Sequence, residues 1–230
     1  MISVIVPAVN EAAHLPGVLA ALGPPGATHE VLVADGASED GTAAIAARFG
    51  ARVVAAGERH RARQMNAAAR EAAGAILLFL HADTCPGEGA LAAAERSLAK
   101  PGVVAGAFRR RFERKSLLLA LTSWMADWRT RWWGIGYGDQ GLAVRREVFE
   151  ELGGFDESAR YEDIEMCLRL RERGRIVLLG PVARSSARRF PDDLRGTAGR
   201  LLGDAREARA FVQAWKQKKP AMEKLTTAGK

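Results

Sequence analysis

The chain has 230 residues, of which 27% are charged and 48% hydrophobic, the composition of a soluble globular protein and not of a disordered, collagen-like or multi-span membrane chain. With 34 basic and 27 acidic side chains the formal net charge is +7, which favours an anionic partner such as a nucleotide, a nucleic acid or an acidic membrane. The two cysteines, Cys85 and Cys167, stand far apart without C-x-x-C spacing, so neither a disulfide framework nor a zinc site is indicated.

The start MISVIVP carries no basic n-region or small-residue cleavage site, and no run approaches the ~18 apolar residues of a spanning helix; the expectation is a cytoplasmic protein. Residues 2–6 (ISVIV), 30–34 (EVLVA), 51–56 (ARVVAA) and 75–80 (AILLFL) predict strands. Between them 12–22, 41–49 and 62–73 carry apolar residues at helical spacing. This alternation implies an α/β fold with a Rossmann-like, mostly parallel sheet covered by helices on both faces.

The second half is less regular. Residues 107–114 predict a strand with a basic flank, and 116–141 form a segment rich in Trp and Gly. Residues 142–155 read as a strand and a short helix that stops at Gly153-Gly154. Tyr161-Glu162-Asp163 opens another helix ended by Gly174, 176–180 is one more strand, and a helix follows over 194–215. No repeat or interdomain linker is visible. The expectation is one domain over 1–215, with 1–106 as a nucleotide-binding half and 107–215 as an acceptor half, and a frayed polar tail over 216–230.

Open parallel sheets bind ligands at the carboxyl ends of their strands, and here those ends are polar. Asp35, directly after a strand, can accept from a pyrimidine N–H or a ribose hydroxyl, or build a turn with Ser38. Asp40 is expected to cap the next helix, and Glu11 can face a nucleoside or simply favour a helix N-terminus. His81 and Asp83, two apart after the apolar run, can aim at one divalent cation, with an N-cap by Asp83 or Thr84 as the alternative. Arg59, Arg61 and Arg63 alternate, which is strand or loop spacing, and arginine matches phosphate geometry.

Pro7, Asn10-Glu11, VADGASEDGT, Arg61 with Asn66, LFLHADT, and GDQG followed by YEDIEMCLRL occur in the order and approximate spacing of inverting family 2 glycosyltransferases of the GT-A fold. The chain resembles these over roughly residues 2–190, and among them small bacterial members with RxRQMN and FLHADT signatures. The resemblance implies a GT-A fold with an acceptor-side subregion. It also implies metal-assisted transfer, with inversion, of a sugar from a nucleoside-diphosphate sugar to a hydroxyl of a saccharide or lipid-linked acceptor.

By the same resemblance Asp163 is the catalytic base supported by Glu162, since the acceptor proton must pass to a carboxylate as the bond forms. Donor contacts fall to Pro7, Asn10, Glu11, Asp35, Arg61, Asn66, Ala82, Asp139, Gln140 and Arg188. Asp83 with His81 would hold Mn²⁺ or Mg²⁺. His81 replaces the first carboxylate of the usual Asp-x-Asp, and an imidazole mildly favours manganese. A helix N-terminus is expected to lower the pKa of Glu162 and Asp163.

Four of the five tryptophans, Trp124, Trp128, Trp132 and Trp133, recur at helical spacing within 116–137. The default expectation is a packed core helix. A lipid-touching interfacial helix at the inner membrane face and an acceptor-binding wall are the alternatives, with Arg129 and Arg131 keeping the first of these open. The competing function is a peripheral membrane or nucleic-acid binding module of GT-A-like fold without transferase activity. Nucleic acid is not expected, because the acidic strand ends would repel its phosphates unless a metal intervened.

Overall fold

The computed structural model describes residues 1–228, with side chains through Gln217. The first half alternates β1 (Ile2–Ala8), α1 (Leu15–Leu22), β2 (His29–Asp35), α2 (Thr42–Arg48), β3 (Arg52–Ala55), α3 (Arg61–Glu71) and β4 (Ile76–Phe79). A two-residue strand β5 (Thr84–Cys85) and α4 (Ala90–Leu98) lead to β6 (Val103–Phe112) and α5 (Leu117–Trp133). A 3-10 turn, Gly138–Gln140, precedes β7 (Leu142–Arg145), followed by α6 (Arg146–Glu151), α7 (Glu162–Arg173), β8 (Arg175–Ser185) and α8 (Leu194–Ala228).

The strands form one sheet in the order β3-β2-β1-β4-β7-β6-β8-β5. β3, β2, β1 and β4 are mutually parallel, β6 pairs parallel with β8, and β7 and β5 run against their neighbours. Every residue of β1 is buried, as a central strand covered on both faces requires. Successive side chains serve opposite cores. Ile5, Leu32 and Leu77 pack with Met65 of α3 and with Phe149, Met166 and Leu170 of α6 and α7. Val4, Val6, Val31, Val33 and Leu78 pack with α1 and α4.

Four expectations change. Strand or loop spacing holds for Arg59, which lies in a loop, but not for Arg61 and Arg63: His60 is the N-cap of α3, its Nδ1 accepting from the Arg63 N–H at 3.4 Å, so these two diverge on the first helical turn. The helix after Phe190 runs past 215 to Ala228, through part of the segment expected to fray. β6 continues across the 106/107 boundary assigned to the two halves. Most consequentially, α5 is not a core helix. Its inward face is Leu119, Ser123, Ala126, Asp127 and Thr130, and its tryptophans lie outside. The cause is the strand beneath it, where the Asp127 carboxylate accepts from Arg109 (3.3 Å), Arg111 (3.0 Å) and the Arg110 backbone N–H (3.3 Å). An acid that answers three donors outbids indoles for the inward position.

Candidate functional site

Three contributions meet at the carboxyl edge of the parallel strands, the first from the loops after β1 and β2. After β1, Asn10 takes a left-handed φ of 54°. Its backbone N–H donates to Ser38 Oγ (2.9 Å), and its Oδ1 accepts from the Glu39 N–H (2.8 Å). Asp35 Oδ2 accepts from the Ser38 N–H at 3.1 Å, while its buried Oδ1 has no hydrogen-bond partner. Such an atom is costly unless a ligand answers it. Asp40 is not the N-cap of α2, which is Gly41, but stands one residue before it and accepts from the Thr42 N–H (3.1 Å) and hydroxyl (2.5 Å) and from the Ala12 N–H (3.0 Å). Gly36 admits no side chain, because a Cβ there would come within 2.2 Å of Gln64 Nε2, the amide that donates to the Ala8 carbonyl.

The second contribution follows β4. Arg188, beyond the end of β8, grips Glu11 through both terminal nitrogens (2.6 and 2.9 Å) and reaches Asp83 Oδ2 with Nε at 3.0 Å. Its own pKa rises, first through the Glu11 bond. One guanidinium thus joins the rims of β1, β4 and β8. His81 is pushed down to about 4 by burial and then by the charge of Arg61, so its imidazole is neutral and free to ligate at neutral pH.

Among the described residues no three His, Cys, Asp or Glu side chains gather into a ready cation cage. The donor set still suits a divalent ion that arrives with its ligand. His81 and Asp83 offer one nitrogen and one carboxylate, and a bound diphosphate would complete the shell.

The third contribution comes from the turn before β7. Because β7 is reversed, Gly138–Gln140 reaches the edge from which the parallel strands exit. Asp163, at the start of α7, accepts from the Gly138 N–H (2.6 Å) and the Ile164 N–H (2.7 Å). Its pKa is nevertheless raised to about 6, first by burial and then by Glu162, which together outweigh both N–H bonds and Arg61. The expected lowering at the helix N-terminus is therefore corrected for Asp163: desolvation exceeds the dipole. Glu162 accepts from Arg61 Nη1 at 3.1 Å. A Cβ on Gly138 would approach His81 Nε2 within 2.2 Å, so the imidazole packs directly on the turn that holds Asp163.

Not every expected residue reaches this edge. Gln140 is fully buried, donating to the Phe108 carbonyl and Thr130 and accepting from Arg129 and the Tyr137 N–H; it shapes the turn and cannot touch a sugar. Asn66 spends its amide on the Phe155 backbone (2.9 Å in both directions) and Glu157 (3.1 Å), tying α3 to the loop before α7. Pro7 is buried in β1, and Ala82 is buried beside Asp83. Asp139 sits at the edge, its Oδ2 accepting from Arg110 at 2.5 Å while its buried Oδ1 lacks a partner. Burial would raise its pKa, but the charge and hydrogen bond of Arg110 bring it below the usual value.

Sequence reasoning missed Arg110, which is 6% exposed, and Ser185, whose hydroxyl donates to the Asp139 carbonyl at 2.8 Å. Period two within Arg109-Arg110-Arg111 was the available signal, since a strand turns its middle residue away from both neighbours.

The profile of the family described as Glycosyl transferase family 2 matches residues 3–153. A mannosyltransferase from Pyrobaculum calidifontis, PcManGT, solved with GDP-Man and Mn²⁺, shares 26% identity at a TM-score of 0.65, over 79% of this chain and 56% of that one. S. aureus TarS (residues 1–349) superposes at a TM-score of 0.67 with 16% identity, over 80% and 60% of the two chains. Glucosyl-3-phosphoglycerate synthase from Mycobacterium tuberculosis, solved with Mn²⁺, UDP and glucosyl-3-phosphoglycerate, does so at 0.59 with 19% identity, over 93% and 79%. The chain thus spans a little over half the length of the first two. No curated protein sequence matches it.

Proposed function

Because the chain belongs to glycosyl transferase family 2 and has the GT-A fold, we propose that it transfers a sugar, with inversion at the anomeric carbon, from a nucleoside-diphosphate sugar to an acceptor hydroxyl. One observation carries this reading: three strand ends deliver a cation-gripped acid pair, Glu11 with Asp83, beside a separate carboxyl, Asp163, whose pKa is about 6. Two acidic sites with different tasks are what displacement with a departing diphosphate requires.

The unpartnered Asp35 Oδ1 receives a hydrogen bond from the base or ribose. Arg188 and Arg61, each with about half of its side chain exposed, meet the phosphates through paired N–H groups, Arg188 by exchanging its carboxylate partners. His81 and Asp83 would hold Mn²⁺ or Mg²⁺, which when bound supplies positive charge for the leaving diphosphate. The acceptor oxygen bonds to the anomeric carbon as the carbon–phosphate-oxygen bond breaks. Asp163 takes the acceptor proton, and the nucleoside diphosphate departs with the bonding electrons. Glu162, held by Arg61, keeps Asp163 basic enough for that proton by adding negative charge beside it.

Calorimetric titration with UDP-, GDP- and dTDP-sugars, each with and without Mn²⁺, tests the assignment. Metal should strengthen at least one donor, and Asp83→Ala should remove that enhancement. Asp163→Asn should retain donor binding and lose turnover by about 10²-fold or more, the scale of an absent general base. Indifference of every donor to metal, or a fully active Asn variant, overturns the corresponding role.

A further inference from the structure

We infer that the outward face of α5 docks on an anionic lipid bilayer. The exposed side of this helix is apolar and its buried side, apart from Leu119, is small and polar, the reverse of a helix built to cover a core. Leu117, Leu121, Trp124, Met125, Trp128 and Trp132 recur at spacings of three, four and one, which places them on one side of the helix. Their exposure is considerable: 92% at Leu117, 62% at Trp124 and 67% at Trp132. A contiguous apolar stripe of this kind on an otherwise ordinary surface marks an interaction site. Trp128 and Trp133 are already stacked edge to face, with centroids 4.9 Å apart, so part of the surface is ordered before any partner arrives.

Charge selects the partner. The one acid on α5, Asp127, is turned inward onto Arg109 and Arg111, leaving exposed Lys115 just before the helix and exposed Arg131 in its last turn. A groove between α5 and β8 is lined by Trp124, Trp128, Leu178 and Leu179, by Arg109 in its ion pair with Asp127, and by Arg131, so Arg131 supplies its net positive charge in an aromatic setting suited to headgroups above acyl chains. A second copy of this chain would bring the same basic ends against one another, on a protein of net charge +7, whereas an anionic membrane neutralises them. Since no described helix is long and apolar enough to cross a membrane, the contact lies in the interface plane. The inference stands on α5 alone and does not require the transfer reaction.

Vesicle flotation tests it, comparing phosphatidylcholine alone with phosphatidylcholine mixed with phosphatidylglycerol. The protein should float with the mixed vesicles and not with the neutral ones. Trp124→Gln combined with Trp132→Gln should abolish flotation with an unchanged circular dichroism spectrum, because both indoles are exposed. Lys115→Gln and Arg131→Gln should each weaken vesicle affinity about fivefold, the scale of one basic group at an anionic surface. No flotation, flotation indifferent to the indoles, or equal flotation on neutral vesicles overturns the proposal. So does a dimer in light scattering that the paired Trp substitution dissociates while vesicles are ignored.

Discussion

Asp163 holds two backbone N–H bonds and still titrates near 6. If it is the base, the rate of transfer should fall about tenfold per pH unit below that point, as its carboxylate fraction declines. Stability provides an independent reading. The unfolded carboxyl ionises near 3.8 and the folded one near 6, so between these values the native state binds more protons, and this group makes the protein less stable as pH rises through the window. Asp163→Asn should flatten that part of the melting-temperature profile; an unchanged slope would assign it to other groups. The position of Asp163 was legible in the GDQG and YEDIEM motifs. Its pKa direction was not, because the Gly138 turn that buries it comes from 25 residues away and local sequence reports only the helix end. Gln140 misled in the same way. Its motif neighbours face the site, yet its own amide is consumed by Phe108, Thr130 and Arg129.

At the scale of elements, polar bonds hold α5 to β6 alongside the apolar contact of Leu119 with Phe112. Asp127→Ala removes the acceptor for Arg109, Arg111 and the Arg110 N–H together and should cost about 2 kcal/mol, below the loss at a fully dry ion pair because both guanidinia stay partly wetted. Thermal denaturation measures this, and a loss within experimental error would return α5 to ordinary packing. Gly138→Ala should be worse for function than for stability: the added methyl displaces His81 or the turn that donates to Asp163, so Mn²⁺-dependent donor binding should disappear while the fold persists. The first seven elements were legible because apolar period and polar strand ends agree there. α5 was half legible. Its periodicity announces two faces but not which one turns inward, and only the arginines of β6 decide that.

For the molecule as a whole, β7 is the join. It lies between β4 and β6 and bonds to both, so the parallel strands of the first half and β6 with β8 are one continuous sheet, and a division at 106/107 would cut β6 itself. The slowest-exchanging amides of β1 and β6 should therefore share one opening free energy, and hydrogen exchange that shows β6 and β8 opening alone at lower cost would refute this unity. That parallel units build the first half was plain from alternation; that one reversed strand welds in the second was hidden, because residues 142–145 look the same in either direction. Arg188 closes the molecule on the same side. Its charge is already spent on Glu11 and Asp83, so the diphosphate of the proposed donor would exchange partners with it and not meet a bare, fully hydrated cation. The affinity of a donor would then report the net of this exchange and not the phosphate contact alone, so loosening the resting clamp should tighten nucleotide binding.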